Sequence, residues 1–328
     1  MLLNNAALGF PRVIREMIGG APLSSRWYAP TWSVAGGVLL NTPTLGAELF
    51  PDPGLEGGYT AGLNDSLAIL SGAPTVSQSA DVHGGSKAQQ AICSAGAIHI
   101  GHTRTLTLGA WYVSSAWVKR VGGGMQRSLF YDGTNYSLSI VFSGDYSNYV
   151  VTQRATNTSG SNRFIQTFDA TAVTLTLDDV SLSEMVMSSA FATINARQSN
   201  VNLIAPLIST FTTGTQAGIV LRLDSPSNPT NFVIAYCDGA GNVKIEKCVN
   251  GTYTTLSTVA AAYGATKYFS AKANGSSISI YYGTTNFGTL IATVTVSDAT
   301  VVNNTRHGLF STYSGNQFAG VFSVVPYA

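Results

Sequence analysis

From about residue 105 onward the chain alternates apolar and polar residues in short runs. Thr105-Leu-Thr-Leu108, Trp111-Tyr-Val-Ser-Ser-Ala-Trp-Val118, Tyr136-Ser-Leu-Ser-Ile-Val-Phe142 and Thr174-Leu-Thr-Leu177 follow this rule. So do Ala217-Gly-Ile-Val-Leu-Arg-Leu223, Ser277-Ile-Ser-Ile-Tyr-Tyr282 and Ile291-Ala-Thr-Val-Thr-Val296. A period of two with β-branched and aromatic residues is the signature of strands. Turn dipeptides separate the runs: Asp132-Gly133, Ser143-Gly144, Asn250-Gly251, Asn274-Gly275 and Ser314-Gly315. Many short strands between such turns predict sandwiches rather than alternating βα units. Helix signal is confined to Val13-Ile-Arg-Glu-Met-Ile18, a turn or two behind Pro11.

The expected fold class is therefore all-β: two tandem jelly-roll/β-sandwich domains behind a short N-terminal arm with a little helix. Three blocks follow. Residues 1–45 form the arm, punctuated by Gly19-Gly20 and Pro30, with Trp27, Tyr28 and Trp32 as anchor aromatics. Residues 46–185 and 186–328 form the two sandwiches. The arm is expected to pack on a neighbouring protein; the alternative is that it completes the 46–185 domain.

Composition narrows the class. With 328 residues the chain can bury a sizeable core. Charged residues are only 10%, against about 25% in an average soluble domain. A net charge of +1 excludes a basic nucleic-acid binder, and 45% apolar content excludes a disordered tail. No apolar run of about 18 residues exists, so no membrane insertion is expected. The first residues lack a basic n-region and apolar h-region, so no signal peptide is expected. The near-neutral sum conceals blocks of +2, −4 and +3.

The three cysteines, Cys93, Cys237 and Cys248, do not make a full disulfide framework. Asn231–Cys237 and Val243–Cys248 read as a hairpin around Asp238-Gly-Ala-Gly-Asn242. Cys237 then lies opposite Val243, roughly 17 Å of strand from Cys248. A disulfide needs Cα atoms within about 7 Å, so both thiols are expected to be free.

Two stretches resemble known families. Glu48-Leu-Phe-Pro-Asp-Pro-Gly-Leu-Glu56, His83-Gly-Gly-Ser86, Tyr112-Val-Ser-Ser-Ala-Trp-Val-Lys119 and Leu177-Asp-Asp-Val-Ser-Leu182 stand in one order. That order resembles the family 4/9-type carbohydrate-binding modules, which are jelly rolls. Glu48, Asp52 and Leu55 depart from the asparagines and phenylalanine usual there, and Ser86 falls two residues early. The resemblance implies a structural calcium on Glu56 and one of Asp178 or Asp179, with carbonyls near Gly84. Calcium takes six to eight hard oxygens. The alternative is that these carboxylates satisfy strand-end amides. No other cofactor is expected. For sugar contact the candidates are Tyr131, Tyr136, Tyr146 and Tyr149, since a flat ring with a polar tip suits a sugar face. Their alternative role is core filling or subunit contact.

Residues 198–328 resemble laminin-G/concanavalin-like sandwiches. The likeness is carried by Gln216–Leu223, Asn231–Tyr236, Asn242–Lys247, Asn250-Gly251, Ser277–Tyr282, His307–Phe310 and Phe318–Phe322. Arg222 recurs in such a strand and is expected to pair with strand neighbours. The tandem resembles virion proteins of tailed bacteriophages, in tail fibres, tail tips or capsid decorations. That implies a virion-surface protein made in the host cytoplasm and joined to other virion proteins through residues 1–45. A homo-oligomer, by preference a trimer, would contact host-surface polysaccharide.

Catalytic chemistry is not expected. Glycosidases need two carboxyls about 5–9.5 Å apart, and Glu48 and Glu56 belong to the first-strand motif. His99-Ile-Gly-His102 lacks the glutamate of the zinc-protease motif. Gly122-Gly-Gly124 lacks the P-loop ending, and no nucleophile elbow occurs. The expected function is non-enzymatic glycan adhesion. The alternatives are a purely structural virion component and a carbohydrate-active module with weak glycosidase activity.

Overall fold

The computed structural model describes residues 13–18, 22–93, 96, 98–122, 126–127, 129–132, 134, 140–167 and 172–327. The protein is nearly all β, with antiparallel sheets. It divides into two compact units: Leu45–Met185, and Met1–Thr44 together with Val186–Ala328.

In the unit Leu45–Met185 the larger sheet runs Ser147–Arg154, Trp111–Val121, Val173–Met185, Ala88–Cys93, Thr75–Ser79. Leu45–Glu48 also pairs with Val173–Met185. The second sheet is Ser159–Thr167, Ile98–Thr105, Ala68–Ser71. Alternation decides which side faces in. Along Trp111–Val121, Tyr112, Ala116 and Val118 enter the core, while Val113, Ser115, Trp117 and Lys119 take the outer phase. Leu175, Leu177, Ile98, Ile100 and Phe164 join the same core, so it lies between the two sheets.

The composite unit has a nine-stranded and a seven-stranded sheet. Its core takes Leu203, Phe269, Ile280 and Phe318 from the first, and Ile194, Ile219, Val233 and Leu309 from the second. The hairpin read from sequence occurs in that register, with Cys237 opposite Val243 and Cys248 opposite Phe232. None of the three cysteines forms a disulfide, and all three are buried. Burial pushes the Cys237 thiol up to about 12, which makes it a poor nucleophile.

The N-terminal segment corrects two expectations. Ile14–Ile18 is a strand, not a helix, and pairs antiparallel with Gln317–Pro326. Apolar residues four apart fit one face of a helix and one face of a strand equally. Pairing buries both Ile14 and Ile18. At about 1.5–3 kcal/mol per fully buried side chain, this outweighs propensity differences of tenths of a kcal/mol. Nor does the segment stand apart as an arm. Trp27–Tyr28 pairs with Phe191–Asn195, and Trp32–Ala35 and Val38–Asn41 extend the nine-stranded sheet. Trp32 is buried against Phe318, and Trp27 packs edge-on to Phe322 at 4.8 Å. These aromatics fill the core of the composite unit, and Tyr28 is half-buried beside them in its two-residue strand.

Arg222 sits at a break in register, with φ 55°, and its side chain is buried. Its guanidinium donates to the carbonyls of Ser199 and Gly275 and to Asn200 Oδ1. Beside it His307 is buried, its Nε2 3.0 Å from the Gln198 carbonyl and its Nδ1 3.4 Å from the Arg222 amide. A carbonyl can only accept, so Nε2 carries the proton and Nδ1 accepts. A second proton would face an N–H donor and a nearby guanidinium. Burial first, and Arg222 second, lower the His307 pKa to about 4 from 6.5. The folded state thus resists a charge that the unfolded chain accepts. Stability is expected to fall as pH drops from 6.5 toward 4, by about 3 kcal/mol in total. Urea midpoints between pH 7 and pH 4 measure this slope, and His307→Gln should flatten it.

Candidate functional site

The residues Asp81–Lys87 cross the outer side of the larger sheet in the Leu45–Met185 unit, and three acidic side chains hold them there. Asp178 Oδ2 accepts the amides of His83 (2.7 Å) and Gly84 (3.0 Å), and its Oδ1 accepts that of Asp179 (2.8 Å). Glu56 Oε1 accepts the amides of Ser86 and Lys87, and Oε2 the Ser86 hydroxyl. Asp179 Oδ2 lies 2.7 Å from His83 Nδ1. Glycine is required beneath this staple. A Cβ on Gly85, at φ 62°, would fall 2.0 Å from Glu56 Oε1. The Ser86 hydroxyl and amide hold the Glu56 carboxyl below its usual range. Burial raises that of Asp178 despite its three amide donors.

The staple sets the His83 ring on Trp117, with centroids 3.6 Å apart and planes 12° apart. The His83 side chain remains 31% exposed. Tyr146 stands 6.0 Å away at 56°, its hydroxyl donating to the Asp81 carbonyl at 2.7 Å. Burial raises its pKa. Lys119 pairs with Asp81 at 2.8 Å and lies 5.7 Å from the Tyr146 ring. The pair is exposed, so it adds little stability but sets donors and acceptors at the rim. The result is an aromatic face with carboxylate, ammonium and phenol groups at its border.

The expected site residues distribute as follows. Tyr146 is in this cluster. Tyr149 is opposite Ala116, packs toward the core and touches Phe142 edge-on at 4.8 Å. Its phenol oxygen accepts the Ser143 amide. It thus fills the interior. Tyr131 is half-buried, with its carbonyl near Gly160. Tyr136 lies outside the described residues. Glu56, Asp178 and Asp179 do gather around Gly84, but as acceptors of N–H and O–H donors. A cation would have to displace those bonds, so the donor set fits an amide staple rather than calcium. Among the described residues no group of three or more His, Cys, Asp or Glu is arranged to hold a metal ion. Glu48 is likewise committed, to the amides of Phe50 and Leu182 and the Ser181 hydroxyl.

Trp117 and His83 are functional candidates that the tyrosine reading passed over. A signal existed for the first: a tryptophan in the polar phase of an alternating strand. None existed for His83, because only the staple from residues 56, 178 and 179 brings it to Trp117.

A second feature of this unit is an open cleft of about 760 Å³. Pro51, Asp52, Gly58, Asp65, His102 and Thr103 are among its lining. No helix among the described residues is long and apolar enough to cross a membrane.

No family model matches the chain, and no curated protein matches it. Solved structures overlap it at low identity. A carbohydrate-binding module, CBM66 from Bacillus subtilis, is 10% identical over 79% of this chain and 92% of its own, with TM-score 0.23. The GH43 protein BlXynB from Bacillus licheniformis is 16% identical over 42% of this chain and 29% of its own, with TM-score 0.32. The chain thus matches under a third of that protein's length. A mutant of the same protein is 12% identical over 90% and 74%, with TM-score 0.30. Likenesses of this size assign no activity; the sandwich is read from the sheets themselves.

Proposed function

We propose that this chain is a non-enzymatic adhesion protein that contacts saccharides through the His83–Trp117–Tyr146 face. The observation that carries this reading is the stacked pair, held by three acidic staples on the outer side of a rigid sheet. Flat rings offer a face to sugar C–H groups, and Asp81, Asp179 and Lys119 offer partners to hydroxyls. Glu48, Glu56 and Asp178 have structural bonds, which supports binding over hydrolysis.

The larger setting belongs to the same proposal. A surface poor in charge and rich in serine, threonine and asparagine, with the sequence resemblances above, supports a bacteriophage virion surface as its place. A trimer would multiply weak sites into useful avidity on host polysaccharide. Ile14–Ile18, Trp27–Tyr28, Trp32–Ala35 and Val38–Asn41 contribute strands to both sheets of the composite unit, so attachment to other virion proteins through this segment would use a surface of that unit.

Glycan-array binding of the full chain tests the reading. Trp117→Ala is expected to weaken the strongest saccharide signal about tenfold, the equivalent of about 1.4 kcal/mol. No reducing sugar should be released on prolonged incubation. A blank array, or a Trp117→Ala protein that binds like the parent, would overturn the proposal in favour of a purely structural role.

A further inference from the structure

The open cleft of the Leu45–Met185 unit shares no residue with the aromatic face. Its two charged lining residues, Asp52 and Asp65, are both acidic, and no lysine or arginine lines it. Asp52 is largely spent: it accepts the amides of Glu56 and Gly57 and the side-chain amide of Asn64. Asp65 is different. It is exposed, and among the described residues its carboxylate has no hydrogen-bond partner or ion pair. It lies against the bare backbone of Gly58, where a Cβ would fall 2.2 Å from Oδ2. Lys87, the nearest cation in sequence to this wall, donates instead to the carbonyls of Glu56 and Gly57.

His102 supplies the second element. Its Nδ1 is 3.0 Å from the Ser66 carbonyl, so that nitrogen carries the proton and Nε2 is left as an acceptor. The ring is held edge-on against Phe50 at 5.6 Å. Thr103 adds a hydroxyl to the lining, and Leu67 and Pro51 add apolar surface. The cleft therefore offers one free carboxylate, one imidazole acceptor and a few apolar contacts, in a volume typical of organic-ligand sites. One free carboxylate does not satisfy calcium, which takes six to eight oxygens. It does match a single protonated amine, and the acceptor nitrogen matches a hydroxyl.

We infer that this cleft is a second binding site, for a hydroxylated ligand with a free amine: an oligosaccharide containing de-N-acetylated hexosamine. The amine pairs with Asp65, and a ring hydroxyl donates to His102 Nε2. An acetylated sugar loses the charge and leaves Asp65 unpaired. The inference stands apart from the saccharide reading of the aromatic face and can fail or hold without it.

Calorimetric titration of the full chain tests it, with a free-amine glucosamine tetramer and its fully N-acetylated counterpart as probes at pH 6. The free-amine tetramer is expected to bind at least about tenfold tighter, a preference that weakens from 20 to 500 mM NaCl, as a charge pair requires. Asp65→Asn keeps shape and removes charge; it should cost about tenfold with the thermal midpoint unchanged. Gly58→Ala, which displaces the carboxylate, should cost as much. Trp117→Ala should leave this binding intact. The proposal is overturned if the free-amine tetramer does not bind or if the two tetramers bind alike. It also fails if Asp65→Asn has no effect, or if calcium chloride alone occupies the site in an Asp65-dependent way.

Discussion

Asp178→Ala is expected to release the segment His83–Ser86 and to remove saccharide binding with it. Three amides, those of His83, Gly84 and Asp179, lose their acceptor at once. A buried group without a partner costs about 1–3 kcal/mol, and water entering beside the partly exposed segment recovers some of this. A net loss of about 2–4 kcal/mol is the expected result. The functional effect is larger than that of losing a contact residue, because His83 reaches Trp117 only while the staple holds. Asp178→Asn separates the two roles. It keeps one side-chain oxygen as acceptor and should lose less stability. Thermal melts and a glycan titration on both variants measure the difference. If Asp178→Ala bound saccharide like the parent, the staple would have no part in the site.

Gly308→Ala is expected to be the most damaging methyl addition in the composite unit. Gly308 lies in Arg306–Ser311, between Phe191–Asn195 and Ala217–Leu223 in the seven-stranded sheet. A Cβ there would fall 1.8 Å from the Ala192 carbonyl oxygen and 2.8 Å from the Thr193 Cα. The obstacle is backbone in a paired strand, so no rotamer change relieves it. Overpacking commonly costs about 1–3 kcal/mol, and a backbone obstacle places this change at or above the upper end. Against a total of about 5–15 kcal/mol that is a large share. A fall in Tm of roughly 6–12 °C corresponds to about 3 kcal/mol in a unit of this size. By contrast, alanine at Gly251, where nothing lies within 4 Å, meets only the strain of φ 79°. It should cost less, and the pair of melts separates close approach from conformational strain.

Where local pattern and tertiary demand agree, the fold was legible. Trp111–Val121 alternates cleanly and is a strand whose inner phase is core. The hairpin at 231–249 was legible down to its register, because Asp238-Gly-Ala-Gly-Asn242 fixes the turn and the strands can slip only by whole residues. Ile14–Ile18 was not legible, since spacing of four does not distinguish a helix face from a strand face. Its partner is three hundred residues away, and only that pairing makes the strand. The packing of the anchor aromatics Trp27 and Trp32 was not legible for the same reason: it depends on Phe322 and Phe318, nearly three hundred residues further along the chain.

The candidate site divides along the same line. Sequence alone determined an all-β protein with little charge and no disulfide between Cys237 and Cys248. These follow from composition, periods of two and hairpin register, all local properties. The grouping of Glu56, Asp178 and Asp179 near Gly84 was implied by the family resemblance. Only the tertiary structure decided what those carboxylates do. Asp178 and Glu56 meet the 83–87 backbone from positions about 95 and 30 residues away, and they serve as amide acceptors. The same convergence lays His83 on Trp117, turns Tyr149 inward and leaves Asp65 unpaired beside Gly58. Side-chain chemistry is carried by each residue, but which groups are satisfied and which are left to bind something else is set by distances that exist only once the sheets have closed.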